Sequence, residues 1–149
     1  MNNDYAHIII KILLTVLLCG IIGSEREIRN KGAGLRTHIL VGVGSALISL
    51  TSFYIFDIYK EVTFVDPSRI IAGIVTGVGF LCAGTIIRGG RQIIGLTTAA
   101  TLWIVSGIGM AVGAGHYSAA IVVSVVVFFV LIALRSFEGL LAKKFQNLN

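Results

Sequence analysis

The chain has 149 residues, of which 56% are hydrophobic, only 13% are charged and 18 are glycine. Charge at about half the usual ~25% cannot cover a soluble domain of this length, and the high hydrophobicity excludes disorder. A single proline excludes a collagen-like array, and two cysteines inside apolar runs, Cys19 and Cys82, exclude a disulfide scaffold. The net charge of +5 would suggest nucleic acid in a soluble protein. Here the cations sit in short breaks between apolar runs and read as membrane orientation signals, so no nucleic-acid partner is expected. The composition predicts an all-α, polytopic transmembrane helical bundle in a lipid bilayer, a single domain over residues 1–149.

Five spans are expected, at residues 7–23, 38–56, 70–87, 96–113 and 118–134, followed by a short cytoplasmic tail at 135–149. Runs of 17–19 residues reach roughly 26–29 Å, close to the ~30 Å hydrocarbon core. Lys11 interrupts the first span one turn from its start, where it can snorkel to the interface. Asp4, the absence of a cation before the span and the lack of a small-x-small site after it oppose a cleaved signal. Leu18 before Cys19 opposes lipoprotein processing, so the first span is expected to be retained. Beyond it, Glu25 with Arg29 and Glu27 with Lys31 form i,i+4 pairs in the favourable order, each worth ~0.2–0.5 kcal/mol if the helix continues. A solvated helix end and a binding site both account for them. Gly32-Ala33-Gly34 then breaks the helix, and Arg36 enters the second span where phosphate headgroups are a ready partner.

In the second span His38, Gly42, Ser45, Ser49 and Ser52 form one stripe. Asp66-Pro67 reads as an N-cap with proline at N1, and Arg69, one turn inside, can pair with Asp66 at i,i+3. Gly73, Gly77 and Gly84 fall within about 40° of one another, with Asp66 and Arg88 near the same stripe. They are candidate helix-packing positions; Arg88 itself reads first as an interface anchor. Gly95-Leu96-Thr97-Thr98 opens the fourth span, with either threonine able to cap it, and Ser106, Gly109 and Gly113 form a further stripe. Such stripes suit close helix packing, or else the wall of a narrow wet path. Against the path, no Asp or Glu occurs between Pro67 and Phe137, so no acidic ligand lies deep in the membrane. Thr97 and Thr98, with Arg88 and Arg91 nearby, make a candidate anion or headgroup site.

Nine of the twelve Lys and Arg residues mark alternate segments: Arg26, Arg29, Lys31 and Arg36, then Arg88 and Arg91, then Arg135, Lys143 and Lys144. The N-terminus is therefore expected outside and the C-terminus inside, with Tyr5, Tyr54, Tyr59 and Tyr117 as a belt at the outer ends. No enzyme signature is present. There is no GxxxxGK[ST] loop, Gly77-x-Gly79 has Cys82 in place of a third glycine, and His38 is about two turns from Ser45. His7, His38 and His116 lie at three separate edges without acid or cysteine at metal-site spacing. No catalytic residue and no cofactor are expected, and no metal ligand set can be assigned.

Three stretches have more local character. They are Gly23-Ser24-Glu25-Arg26-Glu27 continuing through Lys31-Gly32-Ala33-Gly34-Leu35-Arg36-Thr37-His38; Asp66-Pro67-Ser68-Arg69-Ile70 running into Gly77-Val78-Gly79-Phe80-Leu81-Cys82-Ala83-Gly84-Thr85-Ile86-Ile87-Arg88; and Gly95-Leu96-Thr97-Thr98-Ala99-Ala100-Thr101-Leu102-Trp103. In this order they resemble the membrane domain of the MgtC/SapB family, from about Gly20 to Tyr117. Ser24, Gly32, Cys82 and Ile94 depart from the usual Leu, Pro, Gly and basic residue, and a sulfur at Cys82 would widen a close helix contact. The resemblance marks Glu25, Arg26, Arg36, Asp66, Arg69, Arg88, Thr97 and Thr98 as candidate functional residues. It implies a non-enzymatic, multi-pass protein of the bacterial inner membrane, associated with low magnesium and with survival inside host cells. Such a protein regulates another membrane complex, the rotary ATP synthase being one proposed target, or ion homeostasis. The family's transporter label implies the alternative, a carrier or channel for Mg²⁺ or another small cation, which five short spans would have to form as a homo-oligomer. An orphan subunit of a larger assembly is a third reading. Members of the virulence type resemble this chain plus a soluble C-terminal domain, which is expected to be absent because 15 residues follow Leu134.

Overall fold

Backbone N–H and C=O groups in lipid have only each other as partners, which makes each apolar run a helix. The computed structural model describes residues 2–90 and 92–146, with side chains for 5–90 and 92–134. Its helices are α1 (Asn2–Ile28), α2 (Leu35–Tyr59), α3 (Pro67–Thr85), α4 (Leu96–Gly113) and α5 (Tyr117–Gln146). All five carry a stretch long and apolar enough to cross a membrane. The fourth span agrees with the sequence expectation at both ends. The third lies further towards the N-terminus, because Asp66 caps it and Pro67 occupies its first turn. Residues 86 and 87 consequently leave the helix. Ile87–Gly89 (β1) pairs antiparallel with Gln92–Ile94 (β2), Ile87 opposite Ile94. This hairpin is absent from the sequence expectation, although Gly89-Gly90 in a short polar break between Ile86-Ile87 and Ile93-Ile94 is its signal and Gly90 has φ 62°. α5 continues helically past Leu134 to Gln146. Arg91 and the side chains of Arg135, Lys143 and Lys144 lie outside the described residues.

α4 is the central helix, packing against all four others and most extensively against α2. Glycine makes that contact close. A Cβ on Gly109 would run into the Gly42 carbonyl, and one on Gly113 would lie 2.7 Å from the Ala46 carbonyl oxygen and from Ser49 Cβ. Gly42 in turn faces Cys19 of α1. The stripes expected in the second and fourth spans are thus this seam: His38, Gly42, Ser45, Ser49 and Ser52 of α2 are buried, as are Ser106, Gly109 and Gly113 of α4. Ser45 donates to the Val41 carbonyl at 2.9 Å and Ser106 to the Trp103 carbonyl at 2.7 Å, so these hydroxyls need no water.

α3 corrects the expectation for its glycines. Its buried residues are Ile74, Val78 and Cys82, whereas a Cβ added at Gly73, Gly77 or Gly84 would meet nothing within 4 Å. The inward face packs on Ala99 and Leu102 of α4, a side-chain contact that needs bulk to fill it. Cys82 lies in this contact, its Sγ 3.1 Å from the Ala99 carbonyl oxygen. Lys11 Nζ donates to the Gly113 carbonyl at 2.9 Å, satisfying the negative end of α4.

Candidate functional site

α1 ends in a left-handed turn at Asn30 (φ 50°), where Lys31 N–H donates to the Arg26 carbonyl and Asn30 N–H to that of Glu27, both at 3.0 Å. This places Glu25, Arg26 and Glu27 in the last turns, at the bundle end where α2 and α4 begin. Glu25 is 8% exposed; its Oε1 accepts from Arg29 Nε at 3.0 Å, as the i,i+4 spacing suggested. Its Oε2 is buried without a hydrogen-bond partner among the described residues. Glu27 does not take Lys31 as its hydrogen-bond partner; its Oε2 accepts the Leu35 N–H at 3.0 Å. The cause is the uncapped start of α2, where Gly34 supplies no side chain and the helix dipole attracts a carboxylate.

Arg26 is 5% exposed, and its Nη2 donates to Thr98 Oγ1 of α4 at 2.9 Å. Thr101, one turn further along α4, has its Oγ1 2.9 Å from the Thr98 carbonyl and 3.0 Å from His38 Nε2. His38 Nδ1 lies 2.8 Å from the Gly34 carbonyl, to which it donates. A buried polar chain therefore ties α1, α4 and α2 together through Arg26, Thr98, Thr101 and His38. The His38–Thr101 link escapes sequence reading because it joins residues 63 apart; a polar residue inside each apolar run is the only local hint.

Beside this chain is a cavity of about 770 Å³, lined by Arg26, Asn30, Lys31, Thr97, Thr98 and the hairpin among others. Gly84 also borders it, so four sequence-selected residues converge here: Arg26, Gly84, Thr97 and Thr98. Neither threonine caps α4. The N-cap is Gly95, with φ 95° and no side-chain hydrogen bond, and a Cβ there would run into the Thr85 carbonyl. Thr98 is turned to Arg26 instead, and Thr97 is exposed. Arg36 and Arg88 are exposed and do not line the cavity.

Asp66 and Arg69 sit at the opposite end, where α3 begins. Asp66 Oδ1 accepts the Ser68 N–H at 2.9 Å. Hydrogen bonds from the Ser68 side chain and backbone, with a lesser contribution from the Arg69 charge, hold the carboxyl below its ordinary range. The expected Asp66–Arg69 ion pair is not among the contacts within 4 Å that the described residues make, because the cap directs the carboxylate towards the helix N–H. Among the described residues, no three His, Cys, Asp or Glu converge as a metal site would require.

The fold and this site define a polytopic helical membrane protein with a basic, hydroxyl-bearing cavity at one end of the bundle. The chain belongs to the MgtC family, whose model matches residues 12–140. It is 49% identical over 128 residues to "Putative magnesium transporter YhiD" of Escherichia coli (strain K12), covering 85% of this chain and 60% of that protein. To Protein MgtC of Salmonella typhimurium (strain LT2) it is 42% identical over 128 residues, 85% of this chain and 52% of the relative. Protein SapB of Bacillus subtilis (strain 168) is 41% identical over 117 residues, 76% of this chain and 50% of the relative. The chain thus spans between half and three fifths of the length of these relatives. No solved structure matches it.

Proposed function

We propose that this is a non-enzymatic protein of the bacterial inner membrane that regulates another membrane complex, or ion homeostasis under low magnesium, through helix contacts. The observation carrying this reading is the outward glycine face of α3, where Gly73 and Gly77 border an apolar groove of about 480 Å³ shared with α2. In lipid, helices associate where small residues let backbones approach, and this face is left unused within the chain. The resemblance to the family offers the rotary ATP synthase as one such complex and survival inside host cells as one setting. The distribution of cations supports an N-terminus outside, with the α1–α2 turn and the hairpin at the cytoplasmic surface. The test is affinity purification of the full chain from native membranes. A defined complex should be retained by the unaltered chain and lost by Gly77→Leu; equal retention by both, or recovery of self-association alone, would contradict the reading.

A second reading, a transporter for Mg²⁺ or another small cation acting as an oligomer, draws support from the name of the Escherichia coli relative. Asp66 at one bundle end and Glu27 at the other are acids that can attract cations, whereas Glu25 is buried against Arg29. The acid-free stretch from Pro67 to Phe137 weighs against a deep Mg²⁺ site.

A further inference from the structure

We propose that the cavity at the α1–α2 end binds a phosphate group, carried either by an anionic phospholipid or by a small soluble phosphate ester. The central observation is Arg26. A guanidinium presents five N–H donors, and this one, 95% removed from solvent, has Thr98 as its hydrogen-bond partner while its Nε has none among the described residues. The adjacent carboxylate, Glu25, acts on Arg26 by its charge but gives it no hydrogen bond: its Oε1 is taken by Arg29, its Oε2 has no partner among the described residues, and it does not line the cavity. A buried cation in this condition is costly unless an anion completes it.

The rest of the cavity supplies what a phosphate needs. Lys31 adds a second cation on the rim, and among the described residues no acid lines the walls. Thr97 and Thr98 bring hydroxyls to the first turn of α4, whose N-terminus has no side-chain cap and carries the positive end of an 18-residue helix dipole. The opposite wall is apolar and outward-facing: Ile87, Ile93, Ile94 and Leu96 are each more than half exposed. A headgroup phosphate beside Arg26 would leave acyl chains against that wall, whereas a soluble ester would use the polar half alone.

The test uses the purified full chain in detergent, probed by native mass spectrometry with phosphatidylglycerol against phosphatidylcholine, and by titration with inorganic phosphate. Selective retention of phosphatidylglycerol, with no binding of inorganic phosphate, assigns the headgroup; binding of inorganic phosphate without lipid selectivity assigns the soluble source. In either case Lys31→Gln should weaken binding of the retained probe about fivefold, and Arg26→Gln should abolish it. If Arg26→Gln does not fold, Lys31→Gln and Thr97→Val, both at exposed positions, carry the test. No selectivity for either probe, or unchanged binding in the folded variants, overturns the proposal.

Discussion

Gly109 and Gly77 are both helical glycines in apolar runs, yet their surroundings are opposite. Gly109 lies against the backbone of α2 at Gly42, so even one methyl group must push two helices apart. Gly109→Ala is therefore expected to lower unfolding stability by about 1–3 kcal/mol, measured by thermal or denaturant unfolding in detergent. Asp66 provides a second residue-level expectation. Its carboxyl is held below the ordinary value by Ser68, so its charge stabilises the start of α3 above the usual carboxylate range. That contribution is lost as pH falls below about 3.9 and through the lower folded value. Asp66→Asn keeps a capping oxygen but cannot titrate, so unfolding measured between pH 5 and 2 should show less acid destabilisation than in the unaltered chain. Identical acid profiles would contradict this. The Asp66 cap is legible in the sequence because capping chemistry is local, spanning Asp66 to Ser68. The partner of Glu27 is not, since the choice between Lys31 and the Leu35 N–H depends on how the chain turns through Gly34.

Among the elements, the spans are legible from length and hydropathy alone, because lipid permits so few alternatives to a helix. The facing of α3 is less so. Its glycine stripe and its Ile74–Val78–Cys82 stripe both have helical period, and only the side chains that α4 presents determine which turns inward. The β1–β2 hairpin is hidden for a different reason: two three-residue strands lie inside a short basic loop, where helix-scale periodicity carries no signal. The outward stripe leads to a direct contrast. A Cβ at Gly77 meets open space and Gly77→Leu gains helix propensity, so the variant should lose no more than about 0.5 kcal/mol of unfolding stability. A large loss of stability in the isolated chain would mean that this face is packed after all, and would remove the surface that the proposed partner docking uses.

Considered whole, the bundle concentrates its buried charge at one end. Arg26 and Glu25 lie where α1 gives way to α2, and along the α2–α4 seam Ser45, Thr101 and Ser106 donate to backbone carbonyls, whereas the Ser49 hydroxyl has no partner among the described residues. Half of the site is readable in sequence, since Arg26, Thr97 and Thr98 stand in the motifs shared with the family. Their convergence with Asn30 and Lys31 on one cavity requires α1 and α4 to meet, 72 residues apart at the Arg26–Thr98 bond. The proposed action through an outward helix face and a basic end cavity needs no cation path across the membrane. Magnesium entry into liposomes containing the purified full chain, followed with an entrapped indicator, tests this most directly. The expected result is entry no faster than in protein-free liposomes; saturable Mg²⁺ entry abolished by Asp66→Asn would contradict it.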